Sequence, residues 1–141
     1  MFEDIRHDVE SVGWSCMNIF DHDPPFGYTI GLWQRQRHPE LILFGLETQL
    51  THGILTQFAS AVGAGRVFRH EEHVTDLGSR FGFVVRNVWP KDVDRYMGAA
   101  IGYYHEPIKV MQVVWPDPGG RFPWDKAFDP GYVSAQPDAS W

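Results

Sequence analysis

Phe2, Ile5, Val9 and Val12 recur at spacings of three and four, which predicts a short helix over 2–12 with one apolar stripe and Gly13 as its stop. The period then changes. Residues 14–20, WSCMNIF, have the aromatic and branched composition of a strand. Asp21-His22-Asp23-Pro24-Pro25 breaks it, because proline lacks a backbone donor and Asp favours turns. Residues 26–33 run back, so 14–33 reads as a hairpin, and 40–45 is a third strand after a polar insert. Leu50, Ile54, Phe58 and Val62, with Leu55 and Ala59 beside them, predict a helix over 49–62, capped by Thr48 and ended by Gly63 and Gly65.

The second half repeats the alternation. Val67-Phe68 reads as a short edge, 70–79 as a charged loop, and 80–88 as a strand with Phe81, Phe83 and Val85 on one face. Val93, Met97, Ala100, Ile101 and Tyr104 predict a helix over 91–104, with Asp92 and Asp94 at its positive end. Residues 108–115 form the strongest strand pattern, 116–120 a turn, and 121–124 a short edge. The tail from Asp125 is rich in Pro, Gly, Asp and Ala and is expected to be loosely held. The order predicts one α+β domain over 1–141: a single, mostly antiparallel sheet, two main helices packed on one face, and a short N-terminal helix.

Composition narrows the function classes. The 141 residues are 43% apolar and 21% charged, enough to bury a core without a disulfide or metal. Net charge is −6 and no basic run exceeds one residue, so phosphate-neutralising contact with nucleic acid is not expected. The longest apolar runs fall well short of the ~20 residues of a membrane span, and the acidic N-terminus does not read as a signal peptide. The single cysteine, Cys16, lies among Trp14, Met17 and Ile19, reads as a small core residue, and fits a reducing cytoplasm.

Two groups of residues carry candidate chemistry. Tyr28, Thr29, His38 and Glu40 lie on or beside the 26–45 sheet segment, whose glycines, Gly31 and Gly45, mark a bulge or a close backbone approach. Gln112 shares a strand face with Val110 and Val114 and brings four hydrogen-bonding valences to it; it either pairs with Tyr28, Thr29 or backbone, or lines a polar pocket. Asp117 precedes Pro-Gly-Gly as the first residue of a turn, and Arg121, held between that turn and Phe122-Pro123-Trp124, suits a charged anchor for a carboxylate or phosphate. His38 and Glu40 could act as an acid/base pair, or Glu40 could pair with Arg35 or Arg37 at the surface beside a solvated His38. The second group, His70-Glu71-Glu72-His73, lacks the apolar stripe of a helix and the HExxH spacing, so it reads as a solvated loop, with no metal and no cofactor expected.

Gly13-Trp14, the PPFGYTIGL stretch, His38-Pro39-Glu40-Leu41, Phe44-Gly45-Leu46, QVVWPD at 112–117 and GRFPW at 120–124 together resemble the bacterial family called domain of unknown function 4262, over about 13–124. The resemblance implies small soluble bacterial proteins and supplies no activity, cofactor or catalytic residue. The reading that follows is a cytoplasmic domain binding a small molecule or short peptide in a polar pocket at Tyr28, Thr29, Gln112, Asp117, Arg121 and Trp124. Two alternatives stand beside it. One is a non-enzymatic interaction module or homodimer using exposed aromatics such as Trp33, Trp89, Trp124 and Trp141. The other is an acid/base enzyme using His38 and Glu40.

Overall fold

The computed structural model describes residues 1–78 and 80–140. Helix α1 (Phe2–Ser11) leads into β1 (Ser15–Ile19) and β2 (Phe26–Ile30), the expected hairpin. A one-turn helix α2 (Leu32–Gln36) separates β2 from β3 (Glu40–Phe44). Then follow α3 (Thr48–Gly63), a two-residue strand β4 (His73–Val74), β5 (Phe83–Asn87), α4 (Pro90–Tyr96), α5 (Gly98–Tyr104) and β6 (Val110–Val114). A single 3-10 turn, Pro130–Tyr132, lies in the C-terminal segment.

The strands form one sheet in the order β1-β2-β3-β6-β5-β4. The expectation of a mostly antiparallel sheet is corrected to a mixed one. β3 and β6, the two central strands, run parallel, with Glu40 opposite Val110 and Ile42 opposite Gln112. Their neighbours on each side are antiparallel. A parallel pair needs a long crossover, and everything from α3 to α5 lies inside this one. Adjacent short strands in the sequence therefore gave no sign of it.

The helices do not share a face, which corrects a second expectation. Alternation along β3 sends Leu41 and Leu43 to one side, where they pack with Ile54, Leu55, Phe58 and Val62 of α3. Ile42 and Phe44 point the other way and pack with Ile5 and Val9 of α1 and with Val93, Tyr96 and Ala100 of α4 and α5. Both faces are covered, so all five residues of β2, β3 and β6 are buried. Phe58, wholly buried, contributes roughly 1.5–3 kcal/mol by leaving water. Leu50 drops out of the expected stripe of α3, being half exposed, and Thr51 replaces it. Glu47 rather than Thr48 caps that helix, its Oε1 accepting the Leu50 N–H at 2.5 Å.

Further boundaries also differ from expectation. The strand over 26–33 ends at Ile30, because Gly31 takes φ 127° and the chain turns into α2. At Gly31 a Cβ would lie 2.7 Å from the Gly13 carbonyl oxygen, so the turn also depends on a close backbone approach. The helix over 91–104 is interrupted at the fully buried Met97, which adopts φ −113°, ψ 45° and divides it into α4 and α5. Residues 121–124 are not a strand, and β4 replaces the edge expected at Val67-Phe68.

The C-terminal segment is docked rather than loosely held. The Gln136 amide pairs with both backbone groups of Trp115: Oε1 accepts the Trp115 N–H at 3.1 Å and Nε2 donates to its carbonyl at 2.9 Å. Ser140 bridges Val88, and the Trp89 N–H donates to the Ala139 carbonyl at 3.0 Å. Gly45, at φ 85°, lies so close to this segment that a Cβ would fall 2.2 Å from the Ala135 carbonyl oxygen. Gln136→Leu is therefore expected to orphan two buried backbone groups, at roughly 1–3 kcal/mol each. Urea denaturation measures the loss, and hydrogen exchange should rise along 135–140; a change under about 0.5 kcal/mol would show that this amide does not anchor the segment.

Candidate functional site

The sequence-nominated residues fall into separate clusters. The deepest surrounds Glu40, whose side chain is wholly buried at the start of β3. Its Oε1 accepts from the Thr29 hydroxyl at 2.7 Å and the Leu32 N–H at 3.2 Å. Its Oε2 accepts from the N–H groups of Gly31 at 2.9 Å and Trp33 at 3.1 Å, and from the Tyr104 hydroxyl of α5. Gly31, Leu32 and Trp33 open α2, so the carboxylate occupies the electropositive end of that turn. Thr29 Oγ1 in turn accepts the Leu41 N–H at 2.9 Å. Burial pushes the Glu40 carboxyl up, and the bonds from Tyr104, Thr29 and the Trp33 and Gly31 N–H groups oppose that rise. Burial and the neighbouring Glu40 push the Tyr104 hydroxyl up, so it keeps its proton for donation.

His38 belongs to a second cluster and shares no hydrogen bond with Glu40. Its Nδ1 bonds the Pro39 carbonyl at 2.8 Å, and its Nε2 accepts the Phe68 N–H at 3.0 Å. One nitrogen donates and the other accepts, which fits the neutral ring alone. Burial pulls its pKa below the ordinary value, with the Pro39 carbonyl opposing. Neither the proposed acid/base pair nor a surface pair between Glu40 and Arg35 or Arg37 is formed. Arg37 instead meets Glu106 at 3.1 Å and lies over the Trp33 ring, whose Nε1 also donates to Glu106.

Asp117 and Arg121 form a third cluster. Asp117 Oδ1 accepts the N–H groups of Gly119 and Arg121, and Oδ2 accepts that of Asp129, all within 2.9 Å. Burial raises this carboxyl, but the three N–H bonds and the Arg121 charge outweigh it and hold it below the usual carboxylate range. The Arg121 Nε lies 3.4 Å from Asp117 Oδ2, and its half-exposed guanidinium packs over Gly119. Arg121 thus closes the turn it follows, and it does not line the cavity that holds Gln112. Tyr28 is also elsewhere: its hydroxyl accepts the Ala99 N–H at 3.3 Å beneath α5.

Gln112 and Trp124 do come together. They line a cavity of about 430 Å³ on the sheet face that carries α1, α4 and α5, beyond the reach of those helices. There Val84, Val114 and Phe122 form a cluster of their own, and the C-terminal segment closes the other side. Gln112 is 2% exposed, yet its Oε1 has no hydrogen-bond partner; Thr29 and Tyr28 are engaged by other groups. Arg86 stands opposite Gln112 on β5, its guanidinium 4.8 Å from the Trp124 ring and a long 3.7 Å from Glu71. Trp124 is itself stacked on Phe122, the rings 5.4 Å apart.

Sequence reasoning missed Tyr104, Arg86 and Gln136. Tyr104 reads from its spacing as part of an apolar stripe, although a stripe tyrosine also carries a hydroxyl that must find a partner. Arg86 had a weak signal, since period two from Phe83 and Val85 puts it on the other face with Val84. Cys16 is a half-buried core residue whose thiol burial pushes up to about 11, which leaves it a poor nucleophile. His70 Nδ1 accepts the Asn87 N–H, and His73 Nε2 bonds the Phe81 carbonyl. Among the described residues no three His, Cys, Asp or Glu side chains are placed to hold a metal ion. Trp89 and Trp124 are partly exposed, Trp33 less so, and Trp141 lies outside the described residues.

A family model described as Domain of unknown function (DUF4262) matches residues 8–129, spanning every helix and strand from β1 to β6. No curated protein and no solved structure matches the chain. Among the described residues no helix is long and apolar enough to cross a membrane.

Two outcomes are expected. Glu40→Ala leaves several buried donors unpaired at once and should lower stability by at least about 3 kcal/mol in urea denaturation, with loss of α2; a near-neutral result would remove Glu40 from the structural role described. For His38, the folded ring resists protonation while the unfolded chain takes up the proton near its ordinary pKa of about 6.5. The unfolded state then binds more protons, so stability falls as pH is lowered through that range. His38→Gln should flatten this part of the stability–pH curve relative to wild type, and equal slopes would contradict it.

Proposed function

We propose that this chain, which belongs to the domain of unknown function family DUF4262, binds a small polar molecule or a short peptide in the cavity between β5–β6 and its C-terminal segment. One observation carries the reading. Gln112 places an unpartnered carbonyl oxygen, buried to 2% exposure, among the cavity-lining residues. An orphan buried acceptor costs roughly 1–3 kcal/mol, and a ligand N–H or O–H removes that cost.

The other lining groups suit the same guest. Trp124, held flat on Phe122 and with the Arg86 guanidinium over its ring, adds an aromatic wall against whose edge a guest can pack. Arg86, poised over that ring, supplies donors for a carbonyl or carboxylate beside it. Ser134, Asp138 and Ser140 add polar groups from the segment that closes the cavity. About 430 Å³ falls within the range of small-molecule sites. A guest with a donor for Gln112, apolar surface for the Trp124 wall and an acceptor for Arg86 answers all three, and a short peptide has each of them.

The test is a thermal-shift screen of metabolites and short peptides, followed by Gln112→Met. A ligand at 100 times its dissociation constant adds about 2.7 kcal/mol of stability. Gln112→Met replaces an unpaired amide by an apolar side chain of similar volume, so unliganded stability should stay within about 0.5 kcal/mol or rise, while affinity falls. Affinity unchanged in both Gln112→Met and Trp124→Ala would overturn the assignment.

A further inference from the structure

A second cavity, of about 490 Å³, opens where β5 ends and β6 begins, bounded by the segment after α3 and by the start of α4. Its floor is apolar: Phe68, Val93, Ile108 and Val110 are among its walls. Its charged lining is of one sign only, with Arg69 and Lys109 at the mouth and His70 beside them. Glu71 and Asp92, sequence neighbours of lining residues, are not part of the lining, although the Glu71 carboxylate meets the far nitrogen of His70 at 3.8 Å and leaves Arg69 and Lys109 as the unpaired charges of the described lining. In a chain of net charge −6 an all-basic cavity mouth runs against the composition.

The two cations are available. Among the described residues neither Arg69 nor Lys109 forms an ion pair; the carboxylates nearest in sequence to Arg69 face other groups, Glu71 lying 3.7 Å from Arg86 and 3.8 Å from His70, and Glu72 accepting from the Arg69 backbone N–H and meeting Arg66 at 3.5 Å. The backbone that presents them is fixed. Phe68 is tied to His38 Nε2 through its N–H, and the Glu40 N–H holds the Lys109 carbonyl at 3.0 Å. His70 is pinned by the Asn87 N–H at 3.0 Å.

We propose that this cavity binds a small amphiphilic carboxylic acid, its hydrocarbon body against the Phe68–Val93–Ile108–Val110 floor and its carboxylate between Arg69 and Lys109. The floor removes apolar surface from water, and the mouth supplies opposite charge at the rim. A neutral analogue gains only the first term, and a cationic one is repelled by the second. This site is separate from the Gln112 cavity and does not rest on the reading of that cavity.

The probe is octanoate, compared with 1-octanol and octyltrimethylammonium, in titrations of the full chain followed by amide NMR. Octanoate is expected to shift Asn87, Val88 and Val110. 1-Octanol should shift the same amides with about tenfold or weaker affinity, and the ammonium compound should shift none of them. The double variant Arg69→Glu/Lys109→Glu changes two exposed side chains, so its fold should persist by circular dichroism. It should lose octanoate binding by about tenfold or more while keeping 1-octanol binding. Equal affinity for octanoate and 1-octanol, wild-type octanoate affinity in the double variant, no shifts at millimolar octanoate, or shifts at Gln112 and Val114 instead would each overturn the proposal. If the double variant loses 1-octanol binding too, the cations shape the cavity rather than read the charge, and the proposal fails on that outcome as well.

Discussion

One buried carboxylate joins four elements of this fold. Glu40 begins β3, takes the hydroxyl of Thr29 from β2, the opening N–H groups of α2, and the hydroxyl of Tyr104 from the end of α5. Any of those donors left in an apolar interior without an acceptor would cost more than the bond returns in water. All of them converge on two oxygens, so removing the side chain undoes several elements together. A carboxylate is the one side chain that accepts from every partner at once, since each partner donates. Its burial opposes ionisation, and the surrounding donors counteract that effect. The balance makes Glu40 a structural hub and leaves it no lone pair for chemistry.

The same logic separates scaffold from site. His38 and Asp117 have closed sets of partners, and each closes a loop: His38 holds the chain leaving α3, and Asp117, met by the Arg121 Nε, holds the turn after β6. What remains open is the part of the sheet that the helices do not cover. There β5 and β6 present Arg86 and Gln112 side by side, and the cover is a C-terminal segment with little apolar content, docked through an amide, a bridge and a close glycine approach. A wall of that kind admits polar groups without the cost of stripping them completely of hydrogen bonds.

Local periodicity made α1, α3, the α4–α5 stretch and five of the six strands legible, because each is a short run whose apolar positions repeat at 3.6 or 2, while the single turn of α2 left no such repeat. Relations between distant segments were not. The parallel contact of β3 with β6 leaves no trace in either strand's own pattern, so the sheet was expected to be mostly antiparallel and the helices to share a face. Glu40 reads as a surface or catalytic acid because its partners are scattered: Thr29 and three backbone N–H groups lie 7–11 residues upstream, and Tyr104 is far along the chain. Gln112 was the most readable site residue, since a polar side chain on an apolar strand face must either pair or line a cavity. The docked tail was misread because Pro, Gly and Asp are also what a flexible end contains, and only Gln136 distinguishes the two.

The placement of β6 carries a consequence for how the chain acquires this structure. β6, synthesised after the other five strands of the sheet, lies in its middle, inserted between β3 and β5. Until it emerges, the β1–β3 meander and the β4–β5 ribbon have no strand to join them, and β3 presents a bare edge of unpaired backbone to solvent. During translation that edge is the sticky one, exposed for as long as the ribosome needs to complete the crossover, and a neighbouring nascent chain is a competitor for it. Closure of the sheet therefore waits on one contact between segments far apart in the chain.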